Sequence, residues 1–171
     1  MVKIGAGAGQ FVELVAGHVG RAIVNALAPL NVHVDWIDER DEEFPPDSAL
    51  PAHTRKVCVD SLDAEVNEAP RGAFYLVLTH RHDLDLRIAE AILRRGDFSF
   101  FGLIGSQTKR ARFIHRFEER GIAAQAIARM TCPIGVSGIE GKEPEVIAAS
   151  VVAQLLQAAS AACGPSQAQA Q

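Results

Sequence analysis

Residues 11–30 read FVELVAGHVGRAIVNALAPL, and this stretch decides the fold. Its first part, Phe11–Val15, is a short and mainly apolar run that predicts a buried strand. From there on, apolar side chains recur every three or four positions, which predicts an amphipathic helix over residues 18–29. A strand, a glycine-containing turn and a helix in succession begin a βαβ unit, from which parallel sheets are built.

The rest of the chain continues this alternation of strands and helices. The polar segment 40–55 carries three prolines, so we expect it to be a long irregular loop. The apolar runs predict strands at Val32–Ile37, Lys56–Val59, Phe74–Leu78 and Phe98–Ile104, and a strand-like stretch at Met130–Ile134.

Capping residues and periodicity predict three more helices. Asp83 or Asp85 is expected to cap a helix that stops at Gly96. A basic helix is expected over residues 107–120, and the last helix begins at Pro144, because proline suits the first helical position. The residues expected to face inward on the basic helix are Ala111, Ile114 and Phe117.

A chain of 171 residues has room for one domain with a full hydrophobic core. With 48% hydrophobic and 22% charged residues, its composition is that of a compact globular protein. We therefore predict a single α/β domain over residues 11–160, with a Rossmann-like, doubly wound and mainly parallel sheet. Residues 1–10 are expected to be a flexible leader and residues 161–171 a disordered tail.

Charge, hydropathy and cysteine content exclude several classes of protein. The formal net charge of −4 gives no electrostatic case for binding nucleic acid. No apolar run approaches the roughly 20 residues of a membrane helix, and the start lacks a secretory pattern, so a cytoplasmic protein without a membrane partner is expected. The three cysteines are odd in number and widely spaced, which argues against a disulfide framework or a structural zinc site. Cys58, between two valines, is expected in the core.

The turn after the first strand is a candidate phosphate-binding site. Gly17 and Gly20 occupy the second and third glycine positions of the dinucleotide-binding fingerprint, although Val15 takes the first. Asp38 ends the second strand, where an acidic residue binds ribose hydroxyls in dinucleotide-binding proteins. The alternative interpretation is that the two glycines only allow the helix to pack closely on the strand.

The segment Thr79–Asp83 follows the fourth predicted strand, at the edge where open α/β sheets bind ligands. His80 and His82 suggest a metal, but the His-x-His-x-Asp-His pattern fails because Leu84 and Asp85 stand in its last two positions. We therefore predict no metal site. The segment either contacts a ligand or forms only the cap of the next helix.

A second anion-binding candidate follows the fifth predicted strand. Gly105 and Ser106 precede a helix, and Lys109 and Arg110 lie one turn into it. Free backbone N–H groups, a hydroxyl and two cations suit an anion. Cations at this end oppose the helix macrodipole, so we expect an anionic ligand or partner to compensate them. The alternative is that Ser106 is simply an N-cap and that the cations are solvated.

The loop before the last helix is rich in glycine and is expected to lie over the same edge of the sheet. It begins with Cys132–Gly135 and ends with Gly141–Pro144. Cys132 is either a soft ligand or sulfur acceptor, or a residue that only packs in the core.

Taken in order, these motifs resemble the xanthine dehydrogenase accessory protein (XdhC/CoxI) family, from about Phe11 to Gln157. The resemblance implies a noncatalytic molybdenum-cofactor chaperone. Such a protein binds molybdopterin, protects it from oxidation, and assists its sulfuration and its insertion into an enzyme. The segments that carry the resemblance are Gly17–Ala22, Trp36–Arg40, Leu78–Asp83, Gly102–Arg110, Cys132–Gly135 and Gly141–Ala148.

The resemblance also implies partners and a binding site. The partners would be a xanthine dehydrogenase or related molybdenum hydroxylase and a cysteine desulfurase, and a homodimer stays open. Lys109, Arg110 and Lys142 are expected to neutralise the anionic cofactor. The implied cofactor-binding residues are Ala16, Gly17, His18, Val19, Gly20, Asp38, Thr79, His80, His82, Gly105, Ser106, Lys109, Arg110, Cys132, Gly141 and Lys142.

Two departures from the family pattern affect these expectations. Family members usually carry a separate domain ahead of this one, so the chain is expected to do only part of the cofactor handling. Val15 replaces the usual glycine of the first turn, so either the ligand has shifted toward Ser106 or the turn is vestigial.

Two other functions stay open beside the chaperone. One is an NAD(P)-dependent oxidoreductase, with NAD(P) in place of molybdopterin, and the other is a noncatalytic dimerising interaction domain. Against an oxidoreductase, the sequence has no Tyr-x-x-x-Lys pair, and its one tyrosine, Tyr75, lies inside a predicted strand.

Overall fold

Six parallel strands form one sheet, and helices pack on both of its faces. The structure is a computed structural model and describes residues 11–16, 18–30, 32–79 and 81–162. The strands are β1 (Phe11–Ala16), β2 (His33–Asp38), β3 (Thr54–Cys58), β4 (Phe74–Leu78), β5 (Phe100–Leu103) and β6 (Met130–Thr131). The helices are α1 (His18–Leu27), α2 (Leu62–Glu65), α3 (His82–Arg95), α4 (Gln107–Glu119), α5 (Ala124–Ala128) and α6 (Pro144–Ala162).

The strand order is β3-β2-β1-β4-β5-β6, and every neighbouring pair is parallel. The chain therefore builds outward from β1 in one direction and then outward from β4 in the other. The point between β1 and β4 is the topological switch point at which doubly wound sheets open a crevice for ligands. This order confirms the predicted Rossmann-like fold.

Each face of the sheet carries its own hydrophobic core. Helices α1 and α6 cover one face, and α2, α3, α4 and α5 cover the other. Each fully buried large aliphatic side chain contributes about 1.5–3 kcal/mol, so the two clusters supply most of the driving force for folding. The largest buried side chains include Ile23, Leu27 and Trp36 in the first core, and Ile88, Ile92, Phe101 and Phe117 in the second.

The predicted elements are confirmed in kind, with shifted ends. The expected irregular loop over residues 40–55 contains two short 3-10 turns, at Asp41–Glu43 and Asp47–Ala49, and β3 already begins at Thr54. The short helix α2 has no counterpart in the prediction, because four residues are too few to show a helical period. Residues 1–10 of the expected leader and residues 163–171 of the expected tail lie outside the described residues, and α6 continues through Ala162.

The start of α3 differs from the prediction. Neither Asp83 nor Asp85 caps this helix, because the N-cap residue is Arg81, whose side chain makes no capping hydrogen bond. Asp85 instead lies inside the helix and is fully buried. The end of α3 is as predicted, since Gly96 adopts the left-handed conformation with φ of 71° and donates its N–H to the carbonyl of Ile92.

The inward face of α4 also differs from the prediction. Ala111 is exposed, Ile114 is half-buried, and the buried residues are Lys109, Phe113 and Phe117. The prediction was right for Phe117 and for Ile114, which packs against the core, and wrong for Ala111, because it assigned the inward face from apolar residues alone. A buried lysine at the first turn shifts that face by part of a turn.

One other expectation about burial was wrong. Cys58 is exposed, because β3 is an edge strand and is only partly covered.

Helix α6 is, by length and composition alone, long and apolar enough to cross a membrane, which a search for uninterrupted apolar runs did not reveal. Its apolar character is explained by packing, since it lies against α1 and fully buries Val151 and Leu155.

Gly102 in β5 allows the segment after β6 to approach the sheet. A Cβ atom at this position would lie 2.6 Å from Cγ2 of Ile134 and 2.9 Å from Cε1 of Phe100. We expect Gly102→Ala to lower the free energy of unfolding by about 1–3 kcal/mol, because the core would be overpacked. Urea denaturation measures this change. The exposed Ala111→Ser should stay within about 0.5 kcal/mol of wild type, and equal stability of Gly102→Ala would show that Ile134 does not pack there.

Candidate functional site

Because all strands are parallel, their carboxyl ends meet at one edge of the sheet, which we call the carboxyl edge. The turns that follow β1, β2, β4, β5 and β6 all leave from this edge. They carry most of the residues predicted to bind a cofactor, so the structure brings these residues to the same side of the molecule. Gly17 and His80 are two predicted site residues that lie outside the described residues.

The turn after β1 leads directly into α1. His18 is the first residue of the helix and is exposed, Val19 is half-buried, and Gly20 is buried. The first turn of α1 has no acidic residue, so the partial positive charge of its N-terminus is not compensated there. This end of α1 is therefore suited to an anionic group, as the sequence predicted.

Asp38, at the end of β2, already has partners within its own turn. One carboxylate oxygen accepts hydrogen bonds from the backbone N–H and Nε of Arg40, at 3.0 and 3.1 Å, and the other accepts from Nη2 at 3.3 Å. The hydrogen bond to Asp38 raises the pKa of the Arg40 guanidinium. Arg40 takes up most of the acceptor capacity of the Asp38 carboxylate, which weakens the prediction of a dinucleotide ligand.

An ion pair spans the topological switch point. Arg81, after β4, donates from Nη1 to Oε2 of Glu39 at 3.4 Å and from Nη2 to Oδ2 of Asp83 at 3.0 Å. Glu39 follows β2, and β1 lies between β2 and β4. With strands spaced about 4.8 Å apart, the Arg81–Glu39 pair crosses about 10 Å at the end of β1. A ligand at the switch point would meet this pair.

A buried polar network lies between β4, β5, α3 and α4. Asp85 has no exposed surface, and one of its oxygens accepts hydrogen bonds from the backbone N–H and hydroxyl of Thr79, at 3.2 and 2.6 Å. Its other oxygen accepts from Nζ of Lys109 at 2.5 Å. The same ammonium group donates to the carbonyl of Ile104 at 2.8 Å. The network therefore joins the turns after β4 and β5 to the first turns of two helices.

This network identifies the anion that Lys109 meets near the start of α4. The sequence suggested an external ligand or partner, whereas the structure supplies the carboxylate of Asp85. Ser106 caps α4 by accepting the N–H of Lys109 at 3.2 Å, as the alternative interpretation proposed. Gly105 is required beside it, because a Cβ there would lie 2.6 Å from Cδ of Lys109.

Cys132 follows β6 and is buried near the same network. Burial raises the pKa of its thiol, while the positive charges of Lys109 and Arg110 act in the opposite direction. The thiol is therefore protonated at neutral pH, which makes it a poor nucleophile. Arg110 is half-buried, and among the described residues its guanidinium has no hydrogen bond or ion pair.

The loop after Cys132 is fastened to α6 by two polar side chains. Gln154 accepts the N–H of Gly135 at 2.8 Å and donates to its carbonyl at 2.9 Å. Ser150 accepts the N–H of Val136 at 2.9 Å. The loop ends at Gly141 and Lys142, which are both exposed, and the Lys142 ammonium makes no bond within the described part of the chain.

A cleft of about 500 Å³ lies between the first turns of α3 and most of the length of α4, and we call it the α3–α4 cleft. Three of its lining residues, His82, Ser106 and Lys109, were predicted as site residues. Sequence reasoning missed the others on α4, although their spacing of three and four residues places them on one helix face. The residues that line this cleft are His82, Asp83, Leu86, Ser106, Thr108, Lys109, Arg112, Phe113, His115 and Arg116.

Within the described ranges, no group of three histidine, cysteine or carboxylate side chains is placed to hold a metal ion. His82 faces the cleft and not a cluster of acidic or sulfur ligands. Besides the paired carboxylates of Asp38, Glu39 and Asp83, the described part of the carboxyl edge presents N–H groups, hydroxyls and cations, which suit an anionic ligand.

The strand order and the parallel sheet together define a Rossmann-type domain. A family model described as the XdhC Rossmann domain matches residues 14–155, and the chain therefore belongs to the XdhC family. The resemblance seen in the sequence motifs is thus confirmed. The assignment concerns the family and does not by itself identify a ligand.

Two known proteins are similar to the chain. It is 32% identical over 157 residues to "Uncharacterized protein YqeB" of Escherichia coli (strain K12), and the match covers 86% of this chain and 27% of that protein. A crystal structure described as a xanthine dehydrogenase from Bacillus halodurans has the same fold, with a TM-score of 0.73 and 22% identity. That match covers 95% of this chain and 45% of the solved one. The chain therefore spans less than half the length of either relative.

The Asp85–Lys109 pair should be important for stability. We expect Asp85→Ala to lower the free energy of unfolding by about 3–5 kcal/mol, because it leaves the buried ammonium without its carboxylate. The double variant Asp85→Leu, Lys109→Met should lose much less, because both charges are removed together. Denaturant unfolding measures both. Asp63→Ala, which breaks the more exposed pair with Arg87, should cost about 1 kcal/mol or less. Additive losses at residues 85 and 109 would contradict the buried pair.

The two described cysteines should differ in reactivity. At neutral pH, iodoacetamide should modify the exposed Cys58 and leave Cys132 at least about tenfold slower, because Cys132 is buried and the reagent cannot reach it. The pKa of both thiols is raised, so access and not ionisation makes the difference. Peptide mass spectrometry of the labelled protein measures each site. In urea the two residues should react alike. Equal rates in the native protein would mean that the edge around Cys132 is open to solvent.

Proposed function

We propose that this chain is an accessory domain that binds a molybdopterin-type molybdenum cofactor and assists its delivery to a xanthine dehydrogenase or related molybdenum hydroxylase. The observation that carries the proposal is the match of residues 14–155 to the XdhC Rossmann domain. The solved relative described as a xanthine dehydrogenase points to the same class of enzyme. In this role the cofactor is cargo, which the chain holds and releases.

The residues at the carboxyl edge fit such a cargo. Molybdopterin carries a phosphate, and its dithiolene-bound metal is anionic. The first turn of α1 lacks acidic residues, and Arg110 and Lys142 have no ionic partner in the described part of the chain. The start of α1, Arg110 on α4 and Lys142 in the loop before α6 therefore offer positive charge along the carboxyl edge. Thr79, Lys109 and Ser106 take a different part. Thr79 and the Lys109 ammonium donate to Asp85, and Ser106 accepts the N–H of Lys109, so these residues hold the edge in shape.

The chain's own residues would bind, orient and shield the cargo. Exclusion of water from a site on the edge slows oxidation of a bound reduced ligand. Cys132 is not assigned a sulfur-transfer step, since its thiol is buried and protonated. A cysteine desulfurase would therefore deliver sulfur directly to the cargo while the chain holds it. A Rossmann-type domain of this kind fits a cytoplasmic setting.

The oxidoreductase alternative is not adopted. Asp38, the residue that would bind a ribose, has its carboxylate bonded to Arg40. The dimerising interaction domain is compatible with cargo binding and is a separate question of assembly. Calorimetric titration with NAD and NADP should give no heat, and saturable heat in this titration would favour the oxidoreductase.

The cargo proposal is tested by titrating the chain, without oxygen, with molybdenum cofactor released from a purified molybdenum hydroxylase. We expect the cofactor's fluorescence to change with a Kd of about 10 μM or lower. The double variant Arg110→Ala, Lys142→Ala should bind at least about tenfold more weakly, because two unpaired cations are removed.

The matched control is Arg71→Ala, which removes one exposed cation from the turn before β4, at the opposite edge of the sheet. Its affinity for the cofactor should equal that of wild type. A wild-type chain that gives no signal at about 50 μM protein would overturn the proposal for this domain. An equal loss of cofactor affinity in Arg71→Ala would mean that the loss in the double variant reflects the change in net charge alone.

A further inference from the structure

Arg112 and Arg116 stand out, because neither guanidinium has a partner in the part of the chain that the structure describes. Apart from Arg110, every other arginine in the described residues donates to a carboxylate or a backbone carbonyl. Arg112 and Arg116 make no such bond there. Acidic residues outnumber basic ones in this chain, 21 to 17, so shortage of carboxylates does not explain two unpaired guanidiniums. Both of them line the α3–α4 cleft.

The two guanidiniums are held on one face of a fixed helix. Positions 112 and 116 are four residues apart on α4, so their side chains emerge about 6 Å apart on the same side. The first turn of α4 is anchored by Lys109, which is buried against Asp85. The cleft therefore presents two positive charges on one side of a helix, and both long side chains can reach the same phosphate or diphosphate group.

The acidic residue of the cleft does not cancel this charge. Asp83 is the one carboxylate among the lining residues, and its Oδ2 accepts from Nη2 of Arg81 at 3.0 Å. That hydrogen bond lowers the pKa of Asp83, so the carboxylate is ionised and already paired. The Lys109 ammonium is likewise neutralised by Asp85. The unbalanced charge in the cleft is thus that of Arg112 and Arg116.

The rest of the cleft is suited to a small ring compound. Leu86 and Phe113 supply an apolar surface beside the cations, and Ser106 and Thr108 supply hydroxyls. Its volume of about 500 Å³ is within the range of small-molecule sites, about 300–1,000 Å³.

We propose that the α3–α4 cleft binds the phosphate end of a small organic phosphate, with Arg112 and Arg116 holding the phosphate oxygens and Leu86 and Phe113 covering a flat ring. This site is additional to the turn after β1, where a Rossmann fingerprint places phosphate. The identity of the natural ligand rests on the proposed function, in which the cargo itself is a ring compound with a phosphate. The binding chemistry of the cleft does not rest on it.

The first test titrates the chain with inorganic pyrophosphate and with guanosine monophosphate by calorimetry at low ionic strength. We expect both to bind with Kd values below about 1 mM, and Arg112→Ala, Arg116→Ala to weaken both by at least about tenfold. Both substitutions are at exposed positions, so the melting temperature should stay at the wild-type value. Absence of binding at several times that concentration would overturn the proposal.

Two controls are needed. One distinguishes the loss of any positive charge from the loss of these two arginines, and the other distinguishes binding through the ring from binding through the phosphate. Arg87→Ala removes an exposed arginine from the side of α3 that faces α2, and it should leave both affinities unchanged. Guanosine without phosphate should bind far more weakly than the monophosphate. Equal binding of guanosine, or an equal loss in Arg87→Ala, would contradict a phosphate site at these arginines. A hexaglutamate peptide that binds through Arg112 and Arg116 more tightly than either phosphate would replace the proposal with a protein-docking surface.

A second titration, with released molybdenum cofactor, distinguishes failure of the cleft from failure of the proposed function. If the double arginine variant loses pyrophosphate and cofactor together, the cleft holds the phosphate of the cargo. If pyrophosphate binds through the arginines but the wild-type chain does not bind the cofactor, the cleft stands and the proposed function falls. If the cofactor binds equally to wild type and variant and pyrophosphate does not bind through the arginines, the function stands and the cleft falls.

Discussion

The buried ion pair between Asp85 and Lys109 is the interaction on which the carboxyl edge depends. It ties the first turn of α3 to the first turn of α4, and through Thr79 and the carbonyl of Ile104 it ties both helices to the ends of β4 and β5. A buried charge without its partner costs several kcal/mol, so neither residue can leave this arrangement alone. The positions of the cleft, of the cap at Ser106 and of Cys132 all follow from a helix α4 that is fixed at its start.

The pair also decides which cations are left for a ligand. The sequence places Lys109 and Arg110 side by side at a helix start, where they look equivalent. Folding directs the lysine inward to a carboxylate and leaves Arg110 without one. The positive charge available at the surface is therefore that of Arg110, Arg112 and Arg116, and not that of Lys109. Because α4 continues past its first turn as a regular helix, two of these line one cleft.

Much of the fold could be predicted because hydrophobic periodicity, and the glycines and prolines that end helices and strands, are local properties of the chain. The run Phe74–Leu78 is apolar throughout, as a strand covered on both faces must be, and the stop at Gly96 follows from its tolerance of positive φ. The errors fell where a residue's environment is set by distant segments. The prediction made Asp85 a cap and Ala111 an inward residue. Nothing near Asp85 in the sequence reveals its partner Lys109, which lies 24 residues away.

The location of the candidate site could be predicted from the sequence, but the roles of its residues could be predicted only in part. Parallel strands bring their carboxyl ends to one edge, so any chemistry in the following turns must gather there. By itself, the sequence determined the Rossmann-like class, the family and the edge that carries the site, because these follow from local patterns and ordered motifs. Only the tertiary structure decided that Lys109 is internally neutralised, that Asp38 is bonded to Arg40, and that Arg112 and Arg116 share a cleft. These outcomes depend on which charges meet when α3, α4 and the sheet pack together.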